Sequence, residues 1–167
     1  NHAFSKSSIR SFKFPLYITK ICDESFFDCK YFCQVEIPIN SELHTIGKNA
    51  FANTSIESFS FQVNLTKIED GAFSTPSIRK IDIPYNSKLQ TIEAYAFNGC
   101  HFKNLFLPSV LVNFYLINLP FDLQIIEIAE NSKLNINSFD LKIFKHIEDC
   151  MLMVPVKYWF KKKKKKK

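Results

Sequence analysis

The 167 residues of this chain are 46% hydrophobic, which is enough apolar material for a buried core and argues against a disordered protein. The 18 Phe residues stand against a single Trp, a bias that predicts a recurring buried position for Phe. With only three Gly, the sequence is hardly compatible with a glycine-rich cofactor cradle, and we expect no cofactor. Because the chain begins at Asn1 without Met, we expect a processed form or a piece of a longer protein.

The formal net charge of +6 is concentrated at one end of the sequence. Seven of the 22 basic residues form the run Lys161–Lys167, so the other fifteen face 16 acidic residues and the body has a net charge of −1. A nucleic-acid-binding domain carries its positive charge on a structured face, so we expect no nucleic-acid partner. We expect a disordered tail over 161–167. Its alternative role is electrostatic attraction to polyanions or an anionic membrane, the one membrane contact that the sequence suggests.

Along the chain, the sequence repeats a unit built around Phe. Segments around Phe51, Phe73 and Phe97 superpose without gaps, each with Ile five residues before the Phe, Ala directly before it, and apolar residues five, eight and ten after it. The same unit fits around Phe4 and, with one inserted residue, around Phe26. The Phe-to-Phe spacings are 22, 25, 22 and 24 residues. Proline closes four of the five units, as Pro15, Pro38, Pro84 and Pro108.

After the fifth unit the pattern decays. Leu119 is a candidate replacement for the Phe, and one more strand is suggested by Leu123, Ile126 and Ile128. We predict a repeat domain over residues 1–129, with five clear repeats of 22–25 residues and one degenerate repeat, and an irregular C-terminal repeat or cap over 130–160. The apolar run Met151–Val156 is too short to span a membrane as a helix.

The second half of each unit has the period of a half-buried strand. In the segment SIRKIDIP, Ile81 and Ile83 alternate with Lys80 and Asp82, which places the two Ile on one face. One such strand cannot bury its apolar side alone, whereas equivalent strands stacked at ~4.8 Å form a parallel sheet whose core is closed by the Ile and Ala-Phe of the return segment. We therefore predict a solenoid of stacked parallel β-strands, mostly β and coil with little helix.

The segments LTKIEDGAFSTPSIRKIDIP and LQTIEAYAFNGCHFKNLFLP also carry a family resemblance. Their pattern resembles the BspA-type class of leucine-rich repeats, and the likeness covers about residues 3–129. The resemblance implies the α/β leucine-rich repeat fold, a right-handed, curved solenoid. It also implies a location at the cell surface or in secretions, and adhesion to host proteins, to matrix or to other cells.

The outward face of the stacked strands is the best candidate binding surface. Its mixed charges favour a protein or glycan partner over a polyanion, and Phe106 is an apolar candidate anchor within it. Our main hypothesis is an adhesion module, and the alternative is an intracellular scaffold for protein–protein interaction. Further outward positions include Glu36 and Glu127. The candidate ligand-binding residues are Ser58, Ser60, Lys80, Asp82, Asn104 and Phe106.

The cysteines and histidines suggest no catalytic site. Cys29 and Cys100 both follow a repeat Phe by three residues, where a small buried residue fits, so we predict structural thiols. Together with Cys22 and Cys33, Cys29 could form a disulfide in a secreted protein or hold a metal, but the spacing matches no zinc pattern and we expect no metal. No His lies in a motif with an acid or nucleophile, and no catalytic motif occurs, so we expect no enzyme.

Two triplets match the acceptor pattern for N-linked glycans. They are Asn53-Thr54-Ser55 and Asn64-Leu65-Thr66, and both fall in predicted connections between strands. Chance occurrence is the alternative, because the sequence is rich in Asn, Ser and Thr.

Overall fold

The structure is a computed structural model that describes residues 1–115, 119–120 and 122–134, together with the backbone of 151–153. These residues contain twelve short strands and no helix, and hence no helix that could span a membrane. The predicted tail over 161–167 and most of the predicted cap over 130–160 lie outside the described residues.

The strands form two sets that alternate along the chain, and every pairing is parallel. The first set comprises β1 (Ser11–Lys13), β3 (Gln34–Glu36), β5 (Ser58–Ser60), β7 (Lys80–Asp82), β9 (Asn104–Leu107), β11 (Ile125–Ile128) and β12 (Met151–Met153). The second set comprises β2 (Lys20–Ile21), β4 (Thr45–Ile46), β6 (Lys67–Ile68), β8 (Thr91–Ile92) and β10 (Asn113–Phe114). The predicted solenoid of stacked parallel strands is thereby confirmed.

The two sets of strands form two walls of the solenoid, and only one of these walls is a continuous sheet. The second set forms one sheet in the order β10-β8-β6-β4-β2, whereas the first set divides into the sheets β1-β3, β5-β7 and β12-β11-β9. The first wall is therefore interrupted between β3 and β5 and again between β7 and β9. Both interruptions occur where the link from a unit's Pro to the next Ile is eight residues long, from Pro38 to Ile46 and from Pro84 to Ile92, whereas that from Pro15 to Ile21 is six. The turns in these longer links are closed by Ser41 N donating to Pro38 O and Ser87 N donating to Pro84 O, each at 2.9 Å.

A column of stacked Phe rings fills the core. Successive centroids in this column are 5.2, 5.4, 5.4 and 6.0 Å apart, with planes inclined by 12° to 23°. Offset ring stacking adds to the free energy gained by burying the rings, so one aromatic per repeat holds neighbouring repeats in register. The Ile of each return segment is also buried, at 0 to 2% exposure. The column consists of Phe4, Phe26, Phe51, Phe73 and Phe97.

The corner around each repeat Phe has an unusual backbone. Residues two before and two after the Phe adopt positive φ in every unit except after Phe73. These bends let the corners pair from one repeat to the next, as in Phe26 N donating to Ala50 O at 2.9 Å. Gly occupies only two of these positions, so most corners place a side chain in a conformation that L residues adopt at a cost. The residues are His2, Lys6, Glu24, Asp28, Asn49, Asn53, Gly71, Tyr95 and Gly99.

The degenerate repeat continues the stack. Phe114 pairs with Ile92 across β10 and β8, so it takes the position of the repeat Ile, and Leu119 packs against the core five residues later. The strand predicted from Leu123, Ile126 and Ile128 is confirmed as β11, which pairs with β9. Beyond it β12 pairs with β11, although the sequence pattern indicated no strand there. The domain boundary at residue 129 stays a prediction.

Candidate functional site

The six predicted binding residues lie side by side on the wall formed by the first set of strands. We call the outward side of this wall the strand face. Ser58 is the register partner of Lys80, and Ser60 is that of Asp82. Five of the six residues are exposed, and Phe106 is half-buried. The structure therefore gathers them on one surface, and their part in binding stays a prediction.

Four charged residues of the strand face form two local ion pairs. Lys80 Nζ lies 3.0 Å from Asp82 Oδ2, and Ser60 Oγ donates to the same oxygen at 3.4 Å. Nearer the first repeat, Lys13 Nζ lies 3.0 Å from Glu36 Oε1. These pairs are exposed, and exposed pairs contribute little to stability, so they could be exchanged for contacts with a partner at small cost.

A groove of about 280 Å³ runs along the interruption between β7 and β9. Its floor includes the buried Ile81 and Leu105. Since the flanking strands belong to different sheets, the groove follows a seam in the wall, where the strand face departs from a continuous pleated surface. Its other lining residues are Asp82, Ile83, Asn104, Phe106, Ile125 and Glu127.

An aromatic pair borders this groove. The rings of Tyr85 and Phe106 are stacked, with centroids 5.7 Å apart and planes inclined by 25°. The sequence predicts Phe106 as an outward anchor, and in the structure its half-buried ring is packed against Tyr85, which is 73% exposed. Sequence reasoning missed Tyr85. The available signal was its position directly after the unit's Pro, where Leu16 and Ile39 are also exposed.

Glu127 is the register partner of Phe106 on the next strand, β11. It is exposed and has no ion pair among the described residues. Asp82 and Phe106 line the same groove from opposite sides. The groove therefore combines an aromatic surface with two carboxylates, one paired with Lys80 and the other open to solvent.

The buried cysteines have structural contacts. Cys29 Sγ donates to Phe4 O at 2.8 Å and Cys100 Sγ to Phe73 O at 3.1 Å, so each thiol links two repeats. Burial raises the pKa of the Cys100 thiol to about 12, which suppresses the reactive thiolate. The clustered Cys22, Cys29 and Cys33 are free thiols in this structure. Within the described part of the chain, no three His, Cys, Asp or Glu are grouped to hold a metal.

Repeat stacking creates a His–Asp contact that the sequence did not suggest. Nδ1 of His101 lies 2.6 Å from Oδ2 of Asp122, and both side chains are partly exposed. Because the two residues are 21 positions apart, only the repeat alignment could have indicated their proximity. The contact ties the fifth repeat to the degenerate repeat that follows.

The two glycan acceptor sites have different surroundings. Asn53 is exposed on a Phe corner. Asn64 is half-buried, with Nδ2 donating to Ser41 O at 3.2 Å and Oδ1 accepting from Lys88 Nζ at 2.9 Å. The folded chain therefore presents the amide of Asn53 and uses that of Asn64 to hold three repeats together. Glycosylation at either residue stays a prediction.

Two solved structures share this architecture. The pneumococcal vaccine antigen PcpA is 25% identical with a TM-score of 0.67, and the match covers 73% of this chain and 31% of PcpA. A leucine-rich cell surface protein from Faecalibacterium prausnitzii A2-165 is 20% identical with a TM-score of 0.53, over 79% of this chain and 41% of that protein. The chain thus spans less than half the length of either structure. No curated protein matches it.

The repeat unit itself matches a known family. The profile of the BspA type leucine-rich repeat region fits six copies over residues 1–118. This agrees with the Phe column, the parallel strands and the Pro-terminated units described above. The chain belongs to the BspA-type leucine-rich repeat family, a family of repeat scaffolds for protein interaction.

Proposed function

We propose that this chain is a non-enzymatic adhesion module, displayed at a cell surface or secreted, that binds a host protein, a matrix component or another cell through the strand face. The observation that carries the proposal is the groove between β7 and β9 with its Tyr85–Phe106 pair. Exposed aromatic side chains beside a groove are typical anchors of protein interfaces. The candidate contact residues are Ser58, Ser60, Lys80, Asp82, Asn104 and Phe106.

The names of the similar structures support the proposed location at a cell surface. One is a pneumococcal vaccine antigen and the other a leucine-rich cell surface protein. The hydrogen-bonded strands and stacked Phe rings support the mechanism, because a preformed surface loses little conformational entropy when it binds. The mixed charge of the strand face favours a protein or glycan over a polyanion.

The proposal is tested by binding to immobilised matrix proteins, immobilised glycans and intact host cells. We expect saturable binding to at least one of these targets, weakened at least tenfold by Phe106→Ala and altered by Lys80→Glu, which reverses one charge of the strand face. Lys20→Glu is the matched control, because Lys20 is an exposed strand residue on the opposite wall. Thermal unfolding of each variant shows whether the fold is intact. Equal binding by wild type and both strand-face variants would overturn the proposal.

A second candidate is an intracellular scaffold that uses the same strand face. This function requires reduced thiols at Cys22, Cys29 and Cys33, since disulfides are rare in reducing compartments. Mass spectrometry of the native protein separates the two functions. A glycan on Asn53, or a disulfide within the cysteine cluster, supports the secreted module, whereas reduced cysteines in a cytosolic fraction support the scaffold.

A further inference from the structure

The groove between β7 and β9 has the chemistry of a receptor for a cation. Phe106 has Glu127 as its direct neighbour on β11 and shares the groove with Asp82 of β7. The ring of Tyr85 stacks on that of Phe106 with an interplanar angle of 25°, so each ring covers one face of the other and the pair can receive a cation only on an outer face. The face of an aromatic ring attracts a cation through its quadrupole, and neighbouring carboxylates add to that attraction.

The two carboxylates of the groove differ in their ion pairing. Asp82 is paired with Lys80 of its own strand, whereas exposed Glu127 has no ion pair within the described part of the chain. A cation that enters the groove can therefore neutralise Glu127 without breaking any ion pair between residues that the structure describes. It can also exchange with Lys80 at small cost, since the Lys80 side chain is 69% exposed.

Resting on the proposed function, we propose that this groove binds an arginine side chain of the protein partner. The guanidinium group is planar, so it stacks on an aromatic face while its N–H groups donate to a carboxylate. In this arrangement the guanidinium stacks on the face of Phe106 that Tyr85 does not cover, and it pairs with Glu127 on the neighbouring strand. Lysine provides the charge without the planar stacking surface and binds more weakly.

The proposal is tested by NMR titration of the full chain with N-acetyl-arginine methylamide. We expect saturable shifts at the amides of Asn104, Phe106 and Glu127, with a dissociation constant of about 1 mM or weaker, as a single side chain provides. The citrulline derivative has nearly the same shape but no charge, and we expect it to bind about tenfold more weakly. The lysine derivative should bind with intermediate affinity.

Variants separate the contributions of charge and ring. Glu127→Gln should weaken arginine binding about three- to fivefold. Phe106→Leu keeps an apolar side chain and should weaken it by a similar factor. Glu36→Gln is the matched control and should change nothing, because Glu36 is an exposed strand-face carboxylate far along the stack on β3. The dispersion of the amide spectrum shows that each variant is folded.

Three results would overturn the arginine proposal: no saturable shift, equal affinity for arginine and citrulline derivatives, or unchanged binding by Glu127→Gln. Its failure is distinguishable from failure of the adhesion module. If the titration fails while Phe106→Ala still abolishes capture of a protein target, the strand face binds by other chemistry. If the titration succeeds while no target depends on the strand face, the adhesion proposal is the one that fails.

Discussion

The ring of Phe51 stacks on the ring of Phe73, with centroids 5.4 Å apart and planes inclined by 23°. Both side chains are completely buried. Each ring also contacts the ring of Phe59 in strand β5, whose centroid lies 5.6 Å from that of Phe51 and 4.7 Å from that of Phe73. The column is therefore cross-linked to the strand wall. Removing the Phe73 ring leaves a cavity surrounded by four aromatic rings, and these rings cannot move far enough to fill it.

We predict that Phe73→Ala lowers the free energy of unfolding by about 3–5 kcal/mol, as for other buried Phe residues. Phe73→Leu, which keeps part of the volume, should cost less. Tyr17→Ala is the control, because Tyr17 is 76% exposed and its loss should change stability by about 0.5 kcal/mol at most. Urea denaturation followed by circular dichroism measures all three. A loss from Phe73→Ala no larger than that from Tyr17→Ala would refute the Phe column as the core.

Gly47 is required by a close approach of backbone from the preceding repeat. A Cβ at this position would lie 2.7 Å from Asp23 N and 2.9 Å from Cys22 C. We expect Gly47→Ala to destabilise the fold by about 1–3 kcal/mol, since a backbone must move to admit the methyl group. The double variant Gly47→Ala with Asp23→Ala should not recover stability, because the backbone atoms remain. Recovery in the double variant would assign the crowding to the Asp23 side chain.

The positive-φ corners offer sites for stabilisation. Lys6 is exposed with a φ of 58°, so Lys6→Gly relieves the steric cost of this conformation and should raise the free energy of unfolding by about 0.5 kcal/mol. Lys30→Gly is the matched control, since Lys30 is exposed but has no positive φ. It should lower stability, because glycine adds entropy to the unfolded chain. Changes of the same sign in both variants would contradict the strain assigned to Lys6.

Burial of Cys100 makes stability depend on alkaline pH. The folded pKa of about 12 lies above the ordinary value of 9.0, so between these limits the unfolded chain releases the thiol proton while the folded chain keeps it. Unfolding is therefore favoured as pH rises. The stability that the protonated Cys100 thiol contributes to the folded chain is fully present only below about pH 9. We expect the free energy of unfolding to fall faster with pH in wild type than in Cys100→Ala. Parallel curves would show that the thiol does not remain protonated in the folded chain.

The fold could be predicted because the same core positions must be filled by apolar side chains in every repeat. Ile46 and Phe51 occupy the same two core positions as Ile68 and Phe73, and each position is buried in the stack. The sequence pattern alone therefore predicted the strands, the parallel pairing and the inward residues. It also identified β11, since Ile126 and Ile128 keep the strand period after the Phe has been lost.

What escaped prediction depends on the geometry between repeats. The seam between β7 and β9 arises from how two particular repeats meet, and the longer link from Pro84 to Ile92 does not by itself predict a break in the sheet. Tyr85 was missed because it follows the Pro that ends the unit, outside the apolar alternation of the strand, although Leu16 and Ile39 occupy the same exposed position in other units. Asp122 was missed as the partner of His101 because the degenerate repeat lacks the Phe that marks the register of the other units. The positive-φ corners escaped because Gly is nearly absent from them.

The most direct test of binding through the strand face is site-specific photo-crosslinking. The crosslinking residue p-benzoylphenylalanine replaces Asn104, on β9 of the strand face, or Asn113, on β10 of the opposite wall. Both are exposed Asn residues in strands, so the two variants differ chiefly in the wall that they probe. On irradiation with target cells, we predict protein adducts from the Asn104 variant and none above background from the Asn113 variant. Adducts from Asn113 alone, or in equal yield from both, would contradict the strand face as the binding surface.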